Sequence, residues 1–283
     1  MRLRDLQVVL DSTPRSQAVL DIAIDLARTN GAHLTGLCPL ELLLPADFGF
    51  VLGGYPEVMA LQTAVDQLQS QAKDMAAAIE ARFRDALRRE GLGGDWAAPA
   101  GPVAAAIAYH ARHADLTVIG QADPDHRRPP PGRGMIEDLL LAAGRPLLII
   151  PYAGTFPTIG RTVAIAWSET REAARAAGDA LALIDPAASV TVLSIVRPGT
   201  QIDIPGAEIA AHLARHGLAV TAARTISDGS ISEADALLSY VADLGADLLV
   251  MGGYGHSRVR ELTLGGMTRG VLQHMTLPVL MSH

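Results

Sequence analysis

The sequence predicts an α/β protein built twice, as two tandem domains, each a parallel sheet with helices on both faces. Three observations predict this. The 283-residue chain repeats itself, each half alternates short apolar runs with helical patterns, and a Pro/Gly-rich stretch separates the halves. The clearest repeat aligns Ala114-Asp-Leu-Thr-Val-Ile-Gly120 with Ala246-Asp-Leu-Leu-Val-Met-Gly252, an offset of 132. That offset carries Gly134 onto Gly266, Met135 onto Met267 and Pro146 onto Pro278 without a gap. Nearer the N-terminus, Ala32-His-Leu-Thr-Gly-Leu37 matches Ala188-Ser-Val-Thr-Val-Leu193 at an offset of 156. The larger offset means that the first half carries about 24 extra residues in its middle. The expected domains are residues 1–152, with a helical insert at about 45–95, and residues 160–283, joined through Pro151-Tyr-Ala-Gly-Thr-Phe-Pro-Thr-Ile-Gly160.

The elements follow in order. Residues 6–10 form an apolar strand, and Thr13 with Pro14 then supplies an N-cap and a first-turn proline. Ala18, Ile22, Ile24, Leu26 and Ala27 mark a helix face, followed by a strand over 33–38. A helix over 102–111, a strand over 116–119, a helix over 135–142 and a strand over 147–150 complete the first half. The second half reads as strand 162–167, helix 171–183, strands 189–196 and 218–223, helix 232–244, strand 248–251, helix 268–274 and strand 279–281. Alternating strands and helices imply a parallel sheet covered on both faces. The nearly all-apolar runs at 147–150 and 248–251 suit doubly covered central positions.

Within the insert, Val58, Leu61, Val65, Leu68, Ala72, Met75 and Ile79 recur in steps of three and four. This is a heptad pattern. It predicts one long helix over 57–89, or two with a break. The Val58/Leu61/Val65/Leu68 stripe is expected to be buried, against its own domain or against a partner such as a second copy.

Composition narrows the function classes. The net charge of −7 argues against the clustered basic face that nucleic-acid binding needs. The single cysteine, Cys38, excludes an intramolecular disulfide and fits a reducing cytoplasm. No stretch approaches the roughly 18 uncharged apolar residues of a membrane helix. The N-terminal apolar run is too short for a signal peptide and ends at Asp11. A cytoplasmic location, with neither membrane nor nucleic-acid partners, is the expectation.

The chain has no Gly-x-Ser-x-Gly elbow, no Gly-x4-Gly-Lys-(Ser/Thr) loop and no Gly-x-Gly-x-x-Gly after a first strand. Hydrolase, phosphate-loop and dinucleotide chemistries therefore lack their signatures, and no catalytic residue is assigned. His212 and His216 have the i, i+4 spacing of metal ligands, but no Cys or carboxylate completes a set. They read as a solvated helix face, as do His110 and His113, and no metal is expected.

The motif that carries chemistry is Gly252-Gly-Tyr-Gly255-His-Ser-Arg-Val-Arg-Glu-Leu-Thr-Leu-Gly265-Gly266-Met-Thr268, directly after a strand and before a helix. Ligands of parallel α/β sheets sit beyond the carboxyl ends of the strands. Glycines there admit a close approach to backbone N–H groups, and a helix N-terminus favours an anion.

The spacing Gly252-x2-Gly255-x9-Gly265, with Pro278 before the last strand, resembles the universal stress protein family, in a tandem arrangement. The resemblance implies five-stranded parallel sheets of the Rossmann-like, adenine nucleotide alpha hydrolase-like kind. It also implies a stress-response role and, in many members, ATP. Carried over by motif, the nucleotide-binding positions are Ser168, Ile195, Met251, Gly252, Gly255, Gly265, Gly266 and Met267. Two of them depart from the family pattern, because Ser168 replaces an aspartate and Gly266 a Ser/Thr hydroxyl. The first half keeps the aspartate as Asp11. However, it aligns Asp123 with Gly255 and Arg133 with Gly265, and Pro129, Pro130 and Pro131 remove N–H donors.

Two readings stand. One is a stress-response module that takes ATP or another adenine nucleotide in its second half. The other is an interaction or scaffold protein with vestigial sites in both halves. Members of the family often dimerise through the last strand, so here 147–150 is expected to meet 279–281 within one chain.

Overall fold

The structure is a computed structural model that describes residues 2–40, 55–122, 134–196, 198, 205–227, 229–254 and 266–283, with the backbone alone described for 55–62. Ten strands form one sheet in the order β3-β2-β1-β4-β5-β10-β9-β6-β7-β8. The first half supplies β1 (Asp5–Val9), β2 (His33–Leu37), β3 (Gly94–Ala97), β4 (Leu116–Gly120) and β5 (Leu147–Ile150). The second supplies β6 (Thr162–Ala166), β7 (Ser189–Val196), β8 (Ala219–Ile226), β9 (Leu248–Gly252) and β10 (Val279–Ser282). Each half has its own five strands in the same order, all parallel. The halves join where β5 runs antiparallel to β10, with Val279 opposite Ile149, Leu280 opposite Leu148 and Met281 opposite Leu147. The meeting of 147–150 with 279–281 is thus present, and it fuses the two sheets into one.

The helices are α1 (Ser16–Asn30), α2 (Tyr55–Glu90), α3 (Val103–Ala111), α4 (Met135–Ala143), α5 (Arg171–Ala180), α6 (Ala207–Arg215), α7 (Glu233–Asp243) and α8 (Met267–His274). Strand side chains alternate between the two faces. Leu148, Ile150, Val163, Ile165, Leu248, Val250 and Leu280 join α1, α2, α5 and α6 in one core. Leu147, Ile149, Ala164, Leu249, Met251, Val279 and Met281 join α3, α4, α7 and α8 in the other. Both cores run across the β5–β10 seam.

Four expectations are corrected. First, the region at about 45–95 is not simply an insertion, because its last part is the crossover helix between β2 and β3. Ala76, Ile79, Phe83, Ala86 and Leu87 of α2 are buried in the core, on the face that α6 covers in the second half. Second, Leu68 is not buried within the chain: it is 48% exposed, and Val65 is half-buried, so of the two expected outcomes the stripe is not covered by its own domain at Leu68. The side chains of Val58 and Leu61 lie outside the described residues. Among the described side chains of α2, the buried ones all lie in its C-terminal half, from Ala76 to Leu87. Third, the elements read for the first half lack β3, which has no apolar alternation because it contains Gly94 and Asp95 and lies at the sheet edge. Fourth, α1 starts at Ser16 with Arg15 in the N-cap position, so Thr13 is not the cap. Instead Asp11 Oδ1 accepts from the Thr13 N–H (2.8 Å) and hydroxyl (2.6 Å), a local Asx turn that competes with helix initiation.

The segment between the halves is held in place. Arg15 donates from Nε to Pro151 O and from Nη1 to Gly154 O, both at 2.7 Å, and its guanidinium lies 5.2 Å from the Phe156 ring centre. Cys38 is buried, and burial, with the nearby Asp11 charge, pushes its thiol up to about 11. It therefore stays neutral at physiological pH and behaves as a small apolar side chain.

Candidate functional site

The site builds up from the carboxyl ends of β6, β7 and β9. Ala166 of β6 lies in register with Met251 on one side and Leu193 on the other. Trp167 N donates to Leu193 O (2.8 Å), carrying the strand one step further. Ser168 follows and is exposed, with its Oγ 3.3 Å from Thr170 Oγ1. The chain then reverses through Glu169 at φ 56°, a left-handed conformation uncommon for a non-glycine residue. Thr170 caps α5 by accepting from Ala173 N (3.2 Å).

On the other side, β9 ends at Gly252, and Gly253 and Tyr254 follow. Tyr254 N donates to Thr268 Oγ1 (3.3 Å), so the first turn of α8 is tied to the end of β9. Thus Ser168, Met251, Gly252, Gly266 and Met267 gather at one end of the sheet. Ile195 sits on β7 past the end of β6, half-buried and paired with Thr225. Gly255 and Gly265 lie outside the described residues. The Met251 side chain is buried in the core, so only its backbone can face a ligand.

Two helix N-termini meet here, and they differ. Those of α5 are used internally: Thr170 caps the first turn, and Glu172 within it is 4% exposed and paired with Arg171 Nε. Burial opposes ionisation of Glu172. The Arg171 hydrogen bond, the residue's own backbone N–H, and the charges of Arg171 and His283 outweigh burial and hold the carboxyl below its usual range. In contrast, α8 opens at Gly266, which offers no side-chain cap, and its first turn has no acidic residue. Among the described residues, no side chain caps its leading N–H groups, which is the arrangement that favours an anion.

Arg269 sits in that first turn and is exposed. The equivalent position in the first half, by the offset of 132, is Glu137, and α4 carries Asp138 beside it. The same helix end therefore favours an anion in the second half and disfavours one in the first. Sequence reasoning passed over Arg269, although Glu137 and Arg269 align in the ungapped repeat. It also passed over Thr268, two residues past the missing hydroxyl at Gly266. Thr268 is nearly fully buried, and its hydroxyl accepts from Tyr254 N inside the protein.

Other constellations carry less. The His212 and His216 rings stack edge-on with centroids 5.0 Å apart. Tyr109 lies between the rings of His110 (5.4 Å) and His113 (5.8 Å). Among the described residues, no group of three His, Cys, Asp or Glu is placed to hold a metal, and no helix is long and apolar enough to cross a membrane.

Known proteins share this architecture. A universal stress protein from Archaeoglobus fulgidus superposes with a TM-score of 0.71 at 15% identity, covering 98% of this chain and 96% of that one. A Pseudomonas aeruginosa protein of unknown function superposes at 0.56 and 16% identity, covering 99% and 92%. At these identities the likeness shows the fold. A Synechocystis universal stress protein is 46% identical over 46 residues, which span only 16% of that relative's length and 16% of this chain. The model of the universal stress protein family matches residues 161–283, the half that holds Ser168, Gly252 and α8. Residues 161–283 are thus similar to the universal stress protein family, and the whole chain shares the fold of a solved member.

Proposed function

We propose that the chain is a cytoplasmic stress-response module that binds ATP or another adenine nucleotide in its second half, residues 160–283. The first half, residues 1–152, serves as a structural copy without a working site. The uncapped N-terminus of α8, with Arg269 in its first turn, supports this reading most directly. The phosphates would meet the N–H groups of Gly266 and Met267 and the Gly255 and Gly265 backbone. The ribose and base would lie toward Ser168 and Ile195. Ser168 supplies a neutral hydroxyl where the family pattern has an aspartate as the adenine or ribose partner, and Gly266 supplies no side-chain donor.

Each lost hydrogen bond is worth roughly 0.5–1.5 kcal/mol, so affinity is expected to fall about 10- to 100-fold against an intact motif, into the high micromolar range. Titration calorimetry with ATP, ADP and AMP measures this. Gly255→Asp, which imitates Asp123 of the first half, is expected to abolish the heat of binding. Equal binding by parent and variant would move the site elsewhere.

The exposed Leu68 on α2 favours a second reading, an interaction protein that docks a partner or a second copy through this helix. Under that reading, Leu68→Lys lowers the mass measured in solution by light scattering, and lowers the melting temperature only as far as association had raised it. A parent that is already monomeric at high concentration removes the homodimer form of it.

A further inference from the structure

The two halves are related by a near two-fold repeat, and one position breaks it in an informative way. Gln121 and Gly253 are equivalent by the offset of 132, and their backbones do the same thing. Gln121 N donates to Ile150 O (2.7 Å), and Gly253 N donates to Ser282 O (2.9 Å). Each then faces the final helix of the opposite half. At Gly253 the missing side chain leaves room for Leu140 of α4, whose Cδ2 lies 2.2 Å from where a Cβ would stand. At Gln121 a buried carboxamide reaches across instead. Its Nε2 donates to Leu272 O (2.7 Å), with Gln273 O at 3.5 Å, and its Oε1 accepts from Tyr152 N (3.1 Å).

Leu272 and Gln273 lie in the last turn of α8, where backbone carbonyls have no partner within the helix. An eight-residue helix is marginal by itself, so it depends on its tertiary contacts, the packing of buried Val271 and Leu272 and the bonds made at its two ends. At its N-terminus, α8 is fixed by the Thr268–Tyr254 bond; at its C-terminus, it is fixed by a side chain from the other half.

We propose that Gln121 is a positioning residue: the first half holds α8 by its C-terminal carbonyls and so keeps its N-terminal end formed beside Tyr254. This gives the first half a role in the second half's site without a ligand of its own. The consequence for nucleotide rests on the function proposed above; the latch itself does not.

The test uses hydrogen exchange of the full, ligand-free chain. Gln121→Met keeps length and apolar bulk but cannot donate, and it is expected to raise exchange in residues 267–275 and at Tyr254 roughly tenfold, as loss of a buried hydrogen bond implies. Exchange in α5 and β6–β8 should stay at the parent level. Gln121→Glu adds a readout that mere packing would not move. Its buried carboxyl donates only when protonated, so exchange relative to the parent should be fast at pH 8 and return toward the parent at pH 5. Unchanged exchange in α8 for Gln121→Met, or no recovery of Gln121→Glu in acid, overturns the proposal. ATP titration of the parent decides only the ligand. A parent that binds nothing but shows the α8 response keeps the latch and removes the nucleotide reading. A parent that binds ATP while Gln121→Met binds equally well, with α8 exchange unchanged, does the reverse.

Discussion

Phe83→Ala is expected to destabilise the protein by about 3–5 kcal/mol, the usual range for emptying a buried aromatic site. Phe83 is fully buried on α2, and its ring centre is 5.5 Å from that of Trp96 on β3. The strands leave space for it with glycines. A Cβ on Gly36 would stand 3.0 Å from Phe83 Cε2 and 2.6 Å from Trp96 Cε3, and one on Gly94 would stand 3.4 Å from Phe83 Cζ. Gly36 and Gly94 have no side chains to fill the hole, which leaves Trp96 and Leu87 as the neighbours that could partly close it. Urea unfolding followed by circular dichroism gives the value. A loss under about 1 kcal/mol would mean that α2 is an appendage and not the crossover helix of the first half. Leu68→Lys, on the same helix, should leave stability nearly unchanged, because that side chain already meets water.

This contrast within α2 shows where the sequence was legible. Period and repeat located most strands, because doubly covered strands such as Leu147–Ile150 must be apolar throughout, and water exclusion leaves a clear trace in composition. The helix itself was equally visible. Its burial was not, since a heptad pattern records which face is apolar and says nothing about where the supporting sheet stops. The sheet edge at β3 was missed for a related reason: an edge strand with glycine and aspartate carries little alternation. The joining of two sheets through β5 and β10 came from the family resemblance, with no trace in the local pattern. At the site, the motif gave the positions of Ser168, Gly252, Gly266 and Met267. It could not separate glycines that admit a ligand from glycines that admit another part of the protein. Gly253 belongs to the second kind, since its missing side chain is filled by Leu140.

Gly252 tests that distinction, and Gly252→Ala is expected to cost about 1–3 kcal/mol with or without nucleotide. A Cβ there would lie 2.5 Å from Ala173 N, 2.6 Å from Glu172 C and 2.9 Å from Glu172 Cβ. The first two are backbone atoms of a capped helix turn, and they cannot swing aside as a side-chain tip can. Either β9 or α5 must shift, which is the overpacking penalty of a well-filled core. Backbone strain adds nothing, because Gly252 does not adopt a positive φ. Gly120 serves as the internal control. It is the equivalent residue of the first half, and among the described residues a Cβ there meets only Val19 Cγ2 at 3.4 Å, an ordinary contact. Gly120→Ala should therefore be near neutral, or slightly stabilising through the unfolded chain. The pair separates two explanations for the glycine at the end of β9. If Gly252 serves packing, Gly252→Ala lowers the unfolding midpoint and Gly120→Ala does not, whether or not ATP is present. If Gly252 serves only a ligand, both variants melt like the parent, and Gly252→Ala differs only in the ATP titration.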